Sequence, residues 1–226
     1  MIDWSSLDTV FLDMDGTLLD LHFDSHFWLT HLPLRYAELK SLSHDEARAH
    51  IIPMIESEKG SLQWYCVDYW SDRLDVDITA LKTEVAERIA YRPHAESFMA
   101  AIRASGRRSV IVTNCHPKPL ALKLERTGLD RHVDRVLSTH DFGRPKEDIQ
   151  FWHELNGVEP FEPSRTLMVD DSLPVLDSAR RAGIAHLLTI LAPDSQAPVR
   201  EQRFDMPGIA HFDEVLAQIQ PIPTTV

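Results

Sequence analysis

The sequence predicts a three-layer α/β fold, a parallel sheet covered by helices, with a wholly helical section inserted after the first strand. Three observations lead there. Short apolar runs rich in β-branched residues recur along the chain, helical patterns separate them, and the rhythm breaks between about Leu21 and Tyr91. A chain of 226 residues is long enough to bury such a core and to carry a sizeable insertion.

The runs are TVFL before Asp13, SVIV before Thr113, RTLMV before Asp170 and AHLLTIL from Ala185. Each has strand length and no helical period, as strands buried on both faces of a parallel sheet do. The helical patterns between them have recognisable ends. Pro93 stands where a first turn would begin, Ala95, Phe98, Met99 and Ile102 share a face, and Gly106 closes the segment. A second helix is expected from Pro117 to a stop at Gly128, with Leu120 and Leu124 inward, and a third from about Leu173 to Gly183, with Leu176 and Ala179 on one side. Strands alternating with helices argue for the three-layer arrangement.

The interrupted stretch lacks β-rich runs and reads as several helices. SLSHDEARAH carries a cap signal, and Pro53 is read as a break. All four tyrosines and three of the five tryptophans (Trp28, Trp64, Trp70) lie in it. The expected division is a core of residues 1–20 and 92–226 and a helical domain of residues 21–91. No internal repeat or low-complexity tract is visible, and the closing QPIPTTV is expected to fray.

Composition narrows the partners. Acids outnumber bases by 35 to 23, a formal charge of −12 that disfavours nucleic-acid polymers and anionic membrane surfaces. A small phosphorylated substrate stays compatible, because a bound cation reverses the field locally. The two cysteines, Cys66 and Cys115, have no metal-ligand spacing and suggest a reducing compartment. With no signal-peptide pattern in MIDWSSLDTV and no run of membrane-spanning length, the reading is a cytoplasmic protein. Oligomeric state leaves no mark on the sequence.

Ligands of parallel α/β sheets bind beyond the carboxyl ends of the strands. Asp13, Thr113 and Asp170 each stand at such an end, so three separate runs aim polar groups at one rim. Asp15 follows Asp13 by two residues, and Gly16 supplies a turn that brings both to the rim. Asp170 and Asp171 add a second acidic pair. Four gathered carboxylates need compensation, and an oxygen-only donor set points to Mg2+ rather than zinc. Lys146 and the Thr113 hydroxyl would hold an anionic substrate against that ion.

DMDGT at Asp13–Thr17, TN at Thr113–Asn114, the lysine of RPKED at Lys146 and VDDS at Val169–Ser172 resemble, in order and spacing, the four motifs of the haloacid dehalogenase-like superfamily. The resemblance covers the Rossmann-like core, and the insertion resembles that superfamily's first type of helical cap. LDMDGTLLDLHFD, LQWYCVDYWS, TNCHPKPLALKLERTGLD and LSTHDFGRPKED extend it to the GMP/IMP nucleotidases within the superfamily. The resemblance implies hydrolysis of purine nucleoside 5'-monophosphates.

In that reading Asp13 attacks phosphorus to form an aspartyl-phosphate, and Asp15 protonates the leaving oxygen and then helps water attack. The family's pattern holds Mg2+ with Asp13, the backbone carbonyl of Asp15 and Asp171, with Asp170 acting through water. Thr113, Asn114 and Lys146 then bind phosphoryl oxygens, and Lys146 also steadies Asp13. One position departs: where many relatives carry a further acid, this chain has Val175, with Asp177 two residues on.

Competing readings remain at this level. Lys118 rivals Lys146 for the phosphate, and the cap rings either stack on a base or build the cap core. His22, His26 and His31 lack a partner at metal-ligand spacing and read as ordinary cap residues, and Cys115 reads as packing. Asp15 disfavours a dehalogenase, since halide leaves without a proton. A phosphonatase would need a cap lysine, and Lys40, Lys59 and Lys82 stand in no recognised pattern. A phosphatase or phosphomutase for another small metabolite such as a sugar phosphate is the enzyme alternative. A nucleotide-binding regulatory module is the non-enzyme one.

Overall fold

The computed structural model describes residues 2–201 and 205–222; residues 223–226, the end of the tail expected to fray, lie outside them. Among the described residues β1 (Thr9–Leu12), β2 (Arg108–Thr113), β3 (Arg135–Ser138), β4 (Thr166–Asp170), β5 (His186–Ile190) and β6 (Gly208–Ile209) form one sheet. Its order is β3-β2-β1-β4-β5-β6, and every pairing is parallel. In register, Leu12 of β1 stands beside Ile111 of β2 and Val169 of β4. The chain leaves β1 toward β2 and β3, then crosses back to β4 on the other side. That reversal opens a crevice at the carboxyl ends of β1 and β4, where such sheets bind ligands.

The helices are α1 (His22–His26), α2 (Leu32–Lys40), α3 (His44–Ser57), α4 (Leu62–Tyr65), α5 (Val67–Leu74), α6 (Ile78–Thr83), α7 (Ala95–Ala104), α8 (Pro117–Thr127), α9 (Ile149–Val158), α10 (Leu173–Arg181) and α11 (Asp213–Leu216). Alternating strand residues feed two apolar layers, because successive side chains leave opposite faces of a sheet. Val10 and Leu12 pack with Phe98, Met99 and Ile102 of α7. Phe11 packs on the other face with Trp152 of α9 and Leu176 and Ala179 of α10. The chain has the three-layer, Rossmann-like α/β fold that its alternating pattern predicts.

Several elements differ from expectation for local reasons. Strands β3 and β6 and helix α9 are additional; β3 has four residues and β6 two, too few to show a period. Helix α7 starts at Ala95 rather than near Pro93, because His94 takes a left-handed conformation with φ 64°. Helix α8 does begin at Pro117, and Gly128, at φ 68°, supplies its left-handed stop. On α8 Leu120 is buried while Leu124 is only partly so, and the fully buried side chain between them is Lys123.

Residues 22–83 carry α1–α6 and an apolar cluster of their own, with Phe23, Phe27, Ile51, Trp70 and Ile78 at its centre. Ser43 caps α3 in a reciprocal box with Glu46. Pro53 does not break this helix but lies inside it. Both Pro53 and Ala49, whose carbonyl loses its partner, are exposed, so the proline costs less here than in a buried helix. The helical section leaves and rejoins the sheet through two adjacent strands of backbone: Asp20 N–H donates to Ala90 O and Arg92 N–H to Leu18 O, each at 2.9 Å. The buried Arg92 guanidinium donates to the carbonyls of Thr17, Ala192 and Ala210 and ties this junction to the sheet. No helix among the described residues is long and apolar enough to cross a membrane.

Candidate active site

Asp13 follows the last residue of β1, and its N–H donates to Val169 O at 2.9 Å. The chain then folds back on itself: the amides of Leu18 and Leu19 both donate to Met14 O, and Gly16 turns at φ +85°. A Cβ built on Gly16 would stand 2.8 Å from the Asp171 carboxyl carbon. Only glycine permits both this turn and this approach of Asp171 to the loop.

Asp13, Asp170 and Asp171 bring carboxylate oxygens within 4.8 Å of one another. Lys146, 2% exposed, lies between two of them, its Nζ 2.6 Å from Asp13 Oδ1 and 2.7 Å from Asp170 Oδ2. Burial opposes charge on this lysine, but Asp13 and then Asp170 outweigh it and raise its pKa. The other oxygen of Asp170 accepts the Ser172 N–H at 2.8 Å. Asp171 pairs with Arg200 at 3.2 Å. Burial, then the charge of Asp13, still pushes Asp171 up to about 7, and burial pushes Asp170 well up against the pull of Lys146. When ionised, the three carboxylates face only two paired cations, Lys146 and Arg200.

The structure places the other predicted residues around this cluster. Thr113, 1% exposed, ends β2, and its hydroxyl accepts the Cys115 N–H at 3.0 Å. Asn114 accepts the Lys146 N–H at 2.9 Å and donates to Glu147 at 3.0 Å, so both ends of its amide position the Lys146 loop. Trp152 clamps the same loop by donating to Lys146 O at 3.0 Å. Lys118 is elsewhere, paired with Asp68 of α5 at 2.6 Å. Val175 is buried in the apolar layer under α10 and contributes no polar group to the rim.

Asp15 is the least like its expectation. Its carboxylate turns toward Lys123 of α8, with Nζ 2.7 Å from Asp15 Oδ1 and 2.7 Å from Asp24 Oδ2 of α1. Lys82 of α6 continues the chain at 2.6 Å from the other oxygen of Asp24, with its ammonium over the rings of Phe27 and Phe23. Four charges of alternating sign thus run from the rim into the helical section. Burial raises Asp15 to about 6 against Lys123, and Asp24 adds to the rise. Despite its own burial Asp24 is held low, by Lys123 and then Lys82. Lys123 and Asp24 escaped the sequence reading. A lysine beside Leu120 and Leu124 reads as the solvated edge of a helix, and the one available signal was its place among apolar neighbours.

The cap aromatics differ in their surroundings. Trp70 is fully buried core, whereas Tyr65 donates to Glu147, next to Lys146, at 2.7 Å and so reaches the site's edge. His31 pairs with Glu84 at 2.9 Å and His22 with Asp194 at 3.5 Å. Lys82 is ion-paired with Asp24, Lys40 with Asp75 at 2.7 Å, and Lys59 faces Glu56 at 3.8 Å. Cys115 is buried, and that burial raises its thiol pKa far from reactivity.

The donor set fits a hard divalent cation. Three carboxylates converge, and every side chain offered is an oxygen donor.

A parallel sheet with carboxylates and a buried lysine at its switch-point rim defines an α/β enzyme working on an anionic substrate. The chain belongs to the haloacid dehalogenase-like hydrolase family, whose model matches residues 7–183. It is 44% identical over 194 residues to the GMP/IMP nucleotidase YrfG of Escherichia coli, covering 86% of this chain and 87% of that one. In fold it is similar to the HAD phosphatase from Thermococcus onnurineus (TM-score 0.79, 22% identity, 96% of this chain and 100% of that one). It is likewise similar to a putative β-phosphoglucomutase from Thermotoga maritima (TM-score 0.66, 15% identity, 94% and 98%).

Proposed function

We propose that the protein is a Mg2+-dependent phosphomonoester hydrolase, a 5'-nucleotidase releasing phosphate from GMP and IMP through an aspartyl-phosphate on Asp13. The observation that carries the chemistry is the Asp13 carboxylate, 2.6 Å from Lys146 at the rim where Asp170 and Asp171 converge. The substrate rests on the 44% identity to a GMP/IMP nucleotidase, whose span necessarily includes part of the helical section.

A free oxygen of Asp13 attacks phosphorus, and the bond from phosphorus to the ribose 5' oxygen breaks. The electron pair of that bond stays on the leaving oxygen, which takes the Asp15 proton. Water then attacks the phosphorus of the aspartyl-phosphate, gives a proton back to Asp15 and frees the Asp13 carboxylate and phosphate. Lys146 orients Asp13 and neutralises phosphoryl oxygens, Thr113 offers its hydroxyl to them, and Asn114 holds the Lys146 loop in place. Asp13, Asp171, the backbone carbonyl of Asp15 and, through water, Asp170 would hold Mg2+. That ion supplies charge neutralisation between the carboxylates and the phosphoryl group. Residues 21–91 act as a cap that closes over the substrate, hinged near Asp20 and near Arg92–Pro93.

The test is phosphate release with Mg2+ from a panel of nucleoside monophosphates and sugar phosphates, with Asp13→Asn alongside. The expected result is preference for GMP and IMP, with loss of activity in the variant. Preference for a sugar phosphate would overturn the substrate, and an active Asp13→Asn enzyme would overturn the nucleophile.

A further inference from the structure

A second group of metal-ligating side chains lies apart from the carboxylate rim. Cys66, His116 and His140 bring one ligand atom each within 4.8 Å of one another, and all three are partly buried. They are far apart in sequence. Cys66 precedes α5 in the helical section, His116 precedes α8, and His140 sits in the turn after β3. The rings of His116 and His140 meet edge to face with centroids 4.8 Å apart.

The atoms that face the cluster are ligand atoms without strong partners. His140 Nε2 is buried and has no hydrogen-bond partner, which ordinary packing leaves unexplained. Its ring also interacts with the Asn114 backbone, the kind of second contact that orients a ligating imidazole. His116 Nδ1 takes the Lys118 N–H at 3.3 Å, which leaves Nε2 turned toward Asp68 Oδ2 at 3.7 Å. Cys66 Sγ accepts the Tyr69 N–H at 3.4 Å as the N-cap of α5, a weak bond that a metal can replace. Asp68 lies two residues after Cys66, in the first turn of α5, and is held in place by Lys118 Nζ at 2.6 Å.

We propose that Cys66, His116 and His140, with Asp68 as fourth ligand, bind a borderline-soft divalent cation of the Zn2+ class. One sulfur, two imidazole nitrogens and one carboxylate form a four-coordinate set suited to zinc and unsuited to Mg2+. Binding releases the Cys66 thiol proton to solvent, and the thiolate and Asp68 together neutralise the ion. On His116 the ion takes Nε2, so the ring proton moves to Nδ1 and the 3.3 Å contact to Lys118 is given up. Cys66 and Asp68 come from the helical section and the two histidines from the α/β section. One ion therefore ties the two together.

Co2+ is the probe, because thiolate ligation gives it a near-ultraviolet charge-transfer band and tetrahedral geometry gives strong visible bands. The metal-free full-length protein is titrated with Co2+ in excess Mg2+, so that oxygen-donor sites are occupied by the harder ion. One equivalent of thiolate-bound Co2+, displaced by Zn2+, is expected; the band should disappear in Cys66→Ser and persist in Cys115→Ser. Absence of the near-ultraviolet band from the unsubstituted protein overturns the proposal without any variant having to fold. So does a band that survives Cys66→Ser or is lost in Cys115→Ser. The spectrum needs no substrate, so it stands or falls separately from the nucleotidase reading.

Discussion

The ammonium of Lys123 lies 2.7 Å from the Asp15 carboxylate and carries it into contact with the helical section through Asp24. Asp15 is thus held by a core helix and, through Asp24, by α1, whose other oxygen meets Lys82 of α6. A buried cation whose partners come from separate elements is strongly destabilising to remove, because the carboxylates it leaves behind stay buried.

Lys123→Met should therefore lower stability by about 3–5 kcal/mol in urea unfolding. Adding Asp24→Asn should recover part of that loss, since it removes one orphaned charge. Strict additivity of the two substitutions would show that the ammonium and carboxylate do not interact. In the folded fraction, turnover of a ribose phosphate should fall more than that of an aryl phosphate. The aryl leaving group depends less on a proton from Asp15.

Lys146→Met removes the cation shared by Asp13 and Asp170 and should lower the melting temperature by roughly 6–20 °C, the equivalent of about 3–5 kcal/mol in a chain of this size. Added Mg2+ should restore part of this in the purified variant, because it supplies charge to the same carboxylates. A variant with an unchanged melting curve would contradict the buried three-way pairing.

Asp171 titrates near 7 in the fold, raised by burial and then by Asp13, against about 3.9 in an unfolded chain. The folded form then holds its proton longer, so between about pH 4 and 7 the unfolded state binds fewer protons and stability falls as pH rises. In EDTA the native protein should lose stability relative to Asp171→Asn across that window, by equilibrium unfolding. Mg2+ competes with the same proton, so its affinity should weaken by up to about tenfold per pH unit below 7. Calorimetry showing no proton release on Mg2+ binding at pH 6 would exclude this coupling.

Gly16→Ala places a Cβ 2.8 Å from the Asp171 carboxyl carbon on a backbone turned to φ +85°. Strain of about 1–3 kcal/mol is expected from the backbone, and displaced Asp171 should raise the Mg2+ concentration needed for half-maximal activity. Differential scanning calorimetry and a Mg2+ titration read the two effects separately. An alanine variant with unaltered Mg2+ dependence would mean that this contact does not position Asp171.

The rim that gathers the candidate residues was legible in the sequence because it is written at strand ends. Asp13, Thr113 and Asp170 each terminate an apolar run, and parallel strands deliver their ends to one rim whatever joins them. Strand β3 was not legible, since four residues with exposed Arg135 at one end carry no distinctive period. Pro53 misled because local sequence does not record that this turn of the helix lies on the exposed face, where the lost hydrogen bond costs less.

By itself the sequence determined the α/β alternation, the helical insertion and the residues at the rim, all of which depend on local pattern and on the geometry of parallel sheets. The tertiary structure decided which charges are buried and with whom. Lys123 meets Asp15 and Asp24 only when α8 packs against α6 of the helical section, and Cys66 meets His116 and His140 only when that section lies against the α/β section. Periodicity records which face of a helix is apolar, but not the opposite charge that a distant segment will bring to it. For a buried ion pair, that partner sets the free energy.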